Sequence, residues 1–298
     1  MVTTTNGNRE FLTYVRPGDD EPELTTKSIQ DLLTTKRIAF SQFHQECANE
    51  EKYYFNEYVL TLDSSAVEVK PPVIHSIIED VVSHINPANM QVTVPPPTNT
   101  ARGIERSEAL SRFYPGCWDI MDMESQVRTH AIRAATMYGL GIIKIVHDSA
   151  RWGDSPWPGD YDAEDAFQQD LKDYMSARET VFPIVGEAIN PRTMVWDTSR
   201  RGVSWAIESY KVPAADIARA YPDWEGSYSS SAEVEFVECW TRHQVAYLCD
   251  GRWAMKPRKH NYGMVPFVLM AVPTGIATSE PHKRWIGFAR LIRSMVEL

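Results

Sequence analysis

Three stretches hold residue types that could do chemistry. GDYDAEDAF, residues 159–167, is rich in oxygen donors. A calcium loop of the EF-hand type needs glycine at its sixth position for the turn and glutamate at its twelfth. Counted from Asp160 those positions hold Asp165 and Leu171, so the motif fails and the stretch reads as solvated acidic surface. Cys239, His243 and Cys249 invite a zinc reading. Structural zinc takes about four ligands, typically with short cysteine spacing, and no second pair is present. Cys239 and Cys249 lie in apolar stretches, where a free cysteine behaves as a small core residue. Trp152, Asp154, Trp157 and Asp160 offer the platforms and carboxylates of a sugar-handling site. Glycoside hydrolysis needs two carboxyl groups facing each other at about 5–9 Å, which closeness in sequence does not establish.

Other signatures are missing. There is no GxxxxGK[ST] phosphate loop, no G-x-S-x-G and no HExxH, and Gly139-Leu140-Gly141 lacks a third glycine three residues on. The expectation is therefore no catalytic residue, no metal ligand, no cofactor and no enzymatic activity. A carbohydrate-active enzyme or sugar-binding module using tryptophans and carboxylates is the alternative.

Composition narrows the class. The chain has 298 residues, room for one large domain or two smaller ones. Its net charge of -10 argues against a protein that grips nucleic acid through a basic face, although not against one that surrounds a duplex. Four cysteines are too few for a disulfide scaffold and suit a reducing compartment. No run of about 18 apolar residues occurs, so no helix is expected to span a membrane. MVTTTNGNRE lacks the basic and apolar regions of a signal peptide.

The elements that must position these residues follow from periodicity. Residues 1–23 are polar and read as a flexible arm. Thr25 or Thr26 caps a helix with Ile29, Leu32, Leu33, Phe40, Phe43 and Cys47 along one side. Pro72 opens a second helix, in which Ile74, Ile77, Ile78, Val81 and Ile85 share a face, and Met90, Val92 and Val94 alternate as a short strand. Residues 101–138 read as helical, with a break near Pro115–Gly116, and Gly139 supplies a left-handed stop before the strand LGIIKIVHD. Residues 149–180 form an acidic insertion, with a helix starting near Ala163. From Val181 the period shifts toward two, with strands in TMVW, VSWAIESY, EVEFVECW, HQVAYLC and VPFVLMAVP and a tight turn at Asp250–Gly251. These readings give an α+β chain. Its parts are a helix-rich region over 24–182, a β-rich module over 183–275 and a final helix within 276–298.

The order of these features resembles the N-terminal half of tailed-bacteriophage portal proteins. Four stretches between about 72 and 275 carry the likeness. They are VIHSIIEDVVSHINPANMQVTVPP, RTHAIRAATMYGLGIIKIVHD, INPRTMVWDTSRRGVSWAIESYKVPAADIARAYPD, and VEFVECWTRHQVAYLCDGRWAMKPRKHNYGMVPFVLMAVP with its Gly-x-x-Pro-Phe strand. The resemblance implies a wing containing an SH3-like β-rich module, followed by a stem helix that lines a channel. It also implies a structural subunit of a ring of twelve copies at a capsid vertex, through which double-stranded DNA is packaged and ejected. The implied partners are the major capsid protein, the terminase, a head–tail adaptor and a DNA duplex that passes without sequence-specific contact. No membrane is implied. The implied location is the virion, after assembly in the bacterial host cytoplasm.

The last stretch, RWIGFARLIRSMVEL, fits that frame. Phe288, Leu291, Ile292, Met295 and Val296 follow one helical face, and Arg290, Arg293, Ser294 and Glu297 the other. With no glycine, asparagine or proline stop, it reads as the opening of a stem helix that continues past residue 298. Phe288, Leu291, Ile292 and Met295 are expected at a subunit contact. Arg290 and Arg293 are expected nearer the channel or a neighbour's carboxylates.

Overall fold

The computed structural model describes residues 24–59, 70–85, 93–152, 155–161, 163–197, 203–229 and 232–296. The arm over 1–23 and most of the strand expected around Met90–Val94 lie outside them; Val94 is described and is not in a strand. Helices take up 49% and antiparallel strands 22%, and every described strand pairing is antiparallel, so the fold is α+β.

Helix α1, Thr26–Tyr54, starts where Thr25 accepts from the Ser28 amide and the Ser28 hydroxyl takes the Thr25 amide in return, a reciprocal cap. Its buried side is Ile29, Leu33, Phe40, Phe43, Cys47, Glu50 and Tyr54. Helix α2, Val73–His84, buries Ile74, Ile78 and Val82, which leaves Ile77 and Ile85 exposed. Helix α3, Ala101–Ile120, runs straight through Pro115. The break expected at Pro115–Gly116 is thus misplaced. Much of α3 faces solvent, where the carbonyl that loses its donor can be hydrated. The chain instead breaks at Asp122, whose φ of 48° is left-handed, and then makes a π-helical turn over Met123–Arg128. Helix α4, Thr129–Tyr138, ends at Gly139 with φ 80°.

Strand β1, Leu140–His147, has its first five residues buried, so it needs partners on both edges. They are β2, Ile184–Ile189, and β8, Phe267–Ala271, giving the order β2-β1-β8. Between them in sequence come β3 (Met194–Trp196), β4 (Trp205–Pro213), β5 (Glu233–Thr241), β6 (Gln244–Cys249) and β7 (Arg252–Lys259). These form a five-stranded sheet in sequential order. The β-rich stretch expected over 183–275 therefore does not make one sheet by itself; its first and last strands leave to flank β1. Asp250 and Gly251, with φ 51° and 77°, close the β6–β7 hairpin as the sequence indicates.

Helix α5, Glu164–Thr180, buries nothing and forms the acidic insertion. The short α6, Ala214–Ala220, connects β4 to β5, and α7, Pro281–Arg284, leads to α8, Phe288–Val296. Trp285, between α7 and α8, ties the end of the chain to the middle. Its ring lies 5.0 Å from Trp196 and 5.7 Å from Phe43, within a core shared by α1, α2, α4 and both sheets. The approach is close. A Cβ on Gly287 would stand 1.5 Å from the Met137 carbonyl oxygen, so only glycine fits that crossing.

Candidate functional site

The residues expected at a subunit contact lie on α8, and two of the four, Phe288 and Ile292, face inward. Phe288 and Ile292 pack against the main core, Ala289 is buried, and Leu291 is 51% exposed. Met295 lies in α8, but its side chain is outside the described residues. Arg290 and Arg293, expected nearer the channel or a neighbour's carboxylates, meet carboxylates of their own chain. Arg290 Nε donates to Glu50 Oε1 at 2.8 Å and Nη1 to the His282 carbonyl at 2.8 Å. Arg293 reaches Glu46 at 3.4 Å, and Arg290 lies 3.7 Å from the same carboxylate. Both arginines therefore dock α8 on α1 of the same chain. Burial pushes the Glu50 carboxyl up to about 7 even though Arg290 opposes the shift.

A second charged cluster sits between the two sheets. Glu208 on β4 and Glu238 on β5 are directly opposite in the antiparallel register, an arrangement that like charges disfavour. Lys144 reaches in from β1. Its Nζ lies 2.6 Å from Glu238 and 3.5 Å from Glu208, and all three side chains are buried. Glu238 also accepts from the Tyr210 hydroxyl at 3.0 Å and from the Trp240 indole at 3.2 Å. Burial pushes Glu208 up to about 7 against the pull of Lys144. Burial also works against the Lys144 charge, but the two carboxylates outweigh it and raise its pKa. Sequence reasoning passed over this triad. The signal was a lone lysine inside the apolar run LGIIKIVHD and glutamates at buried positions of two largely apolar strands.

Lys144 and Glu238 of this triad line a cavity of about 340 Å³. Its walls include Tyr210, Tyr221, Phe236, Trp240 and Tyr247, and its rim carries His147, Asp148 and Asp216. The rings touch one another: Phe236 is 5.6 Å from Tyr247 and 5.8 Å from Tyr221, and Tyr221 is 6.0 Å from Tyr247.

The other sequence candidates are not gathered into a site. Cys239 and Cys249 are both buried but belong to different apolar clusters, and His243 is exposed at the β5–β6 turn. Burial raises the Cys249 thiol to about 11, which leaves it an inert apolar filler at neutral pH. Among the described residues no group of three or more His, Cys, Asp and Glu is placed to hold a metal. Trp152 is engaged by Arg178 over its ring at 4.9 Å and by His147 edge-on at 5.2 Å, whereas Trp157 is 68% exposed and stands apart. Asp154 lies outside the described residues. No helix among the described residues is long and apolar enough to cross a membrane. No protein-family model matches the chain, and no curated protein is similar to it.

Proposed function

We propose that this chain is the wing-side part of a ring-forming viral portal subunit, a structural protein through whose channel double-stranded DNA moves into and out of a capsid. The observation that carries the reading is the order and pairing of elements. Helix α4 stops at Gly139 and feeds β1. A hairpin-rich sheet with α6 between β4 and β5 follows. The segment Gly263-Met264-Val265-Pro266-Phe267 then leads into β8 beside β1, and α8 leads out next to α4. This is the succession found in the four stretches that resemble the portal family. In this reading β3 to β7 with α6 correspond to the SH3-like module and α8 to the first turns of the stem.

Exposed apolar side chains add support. Phe113 and Ile120 on α3, seven residues apart and so on one side, are 53% and 66% exposed, and Leu291 on α8 is half exposed. In this reading neighbouring subunits cover them. The net charge of -10 suits a ring around a sliding duplex, because neutralising phosphates would add affinity and hold the DNA in place. The capsid protein, terminase and adaptor are the partners in this reading.

Electron micrographs of the purified protein test it. The reading expects closed rings with a central opening, and fewer of them for Leu291→Asp with unchanged circular dichroism. Discrete monomers that bind sugars on a glycan array would overturn it in favour of the carbohydrate module.

A further inference from the structure

We propose that the cavity between the two sheets binds a small alkylammonium cation, a compound carrying a methylated ammonium group on a short chain. This inference is independent of the ring reading. Its first support is the wall. Tyr210, Phe236, Tyr221, Tyr247 and Trp240 form a continuous aromatic surface along a cavity of about 340 Å³, within the range that holds small ligands. Aromatic faces attract cations, most strongly where water is excluded.

The charge balance is the second support. Among the described lining residues Lys144 is the only lysine or arginine, and Glu208 and Glu238 already hold it. The described lining thus sets Glu238, Asp148 and Asp216 against Lys144, and Glu208 stands beside the lysine outside the cavity. An anion would face this excess with no positive group left to meet it. A neutral apolar molecule would satisfy the rings but not the carboxylates. A methylated ammonium satisfies both, because its charge is spread over methyl groups that lie on rings and it needs no hydrogen-bond acceptor of its own.

Third, the floor is preorganised. Glu238 is fixed by Lys144, Tyr210 and Trp240 at 2.6, 3.0 and 3.2 Å, so the polar end of the cavity does not need to rearrange on binding. Tyr221 stands at the end of α6 against Phe236 with a 24° angle between the rings, which leaves α6 and β5 presenting one shared aromatic surface.

Isothermal titration calorimetry of the whole chain with choline tests this. The expected result is saturable binding of choline and little or none of dimethylbutanol, its neutral carbon isostere. Tyr221→Leu keeps the apolar bulk but removes a π face and should weaken choline about tenfold. Asp216→Asn, at the rim and uninvolved in the core, should weaken it several-fold with the melting temperature unchanged, so the claim stays testable if the tyrosine variant folds poorly. Absence of heat with choline would overturn the proposal, as would equal binding of dimethylbutanol or undiminished binding by folded Tyr221→Leu.

Discussion

The two buried ionic clusters use similar ingredients for different ends. At the α8–α1 contact one arginine meets a glutamate that is fully enclosed, and Arg293 with Glu46 closes the edge. Between the sheets one lysine meets two glutamates beside an open aromatic cavity. Burying an ion pair rarely adds net stability over an apolar contact of the same shape, because desolvation offsets the attraction. What such a pair does is penalise every arrangement that leaves one partner alone. In the sealed cluster the penalty fixes how α8 lies on α1. In the open cluster it holds two facing glutamates in place and leaves a negative, aromatic-walled space next to them.

Lys144→Met is expected to have the largest effect, a loss of about 3–5 kcal/mol in chemical denaturation, because Glu208 and Glu238 would face each other buried and uncompensated. Adding Glu208→Gln and Glu238→Gln should restore much of that loss. A mild effect of Lys144→Met alone would show that the triad is better hydrated than its burial indicates. Gly287→Ala comes next, at about 1–3 kcal/mol, since its Cβ would press on the Met137 carbonyl and lift α8 from α4. Faster hydrogen exchange confined to α8 and α7 would show this, and an unchanged melting temperature would mean that the crossing can shift.

The smallest expected effect is a pH dependence. Glu50 and Glu208 both titrate near 7 in the folded chain, against an ordinary value of 4.5. A raised pKa means that the folded state keeps a proton that the unfolded state has released. Their contribution is therefore fully present below about 4.5 and is lost as pH rises through about 7. Glu208→Gln should flatten that decline by on the order of 1 kcal/mol. A steeper decline in the variant would contradict the assignment. Glu79 runs the other way. Held by Arg133, its carboxyl is lowered to about 2, so its contribution is present above about 4.5 and lost as pH falls through 2.

Features set by a few neighbouring residues were legible in the sequence. The Thr25 cap, the left-handed Gly139, the Asp250–Gly251 turn and the change to β texture after Val181 each depend on local conformational preference. What depends on partners distant along the chain was not. Pro115 reads as a breaker, yet an exposed helix accommodates it, and the break falls at Asp122. The arginines of α8 read as the face opposite the apolar one, nearer a channel or a neighbour's carboxylates. Here Arg290 finds Glu50, 240 positions earlier, and turns inward. The triad was hidden for the same reason. Nothing near Lys144 announces that Glu238, 94 positions later, will stand beside it.

The central functional claim, that the chain is built to assemble into a closed ring, is tested most directly by the mass of the particle in solution. Native mass spectrometry of the purified protein across a concentration series should give one dominant species at a fixed multiple of the 33.9 kDa subunit, with no ladder of intermediate sizes. A single species at 33.9 kDa across that series would contradict it.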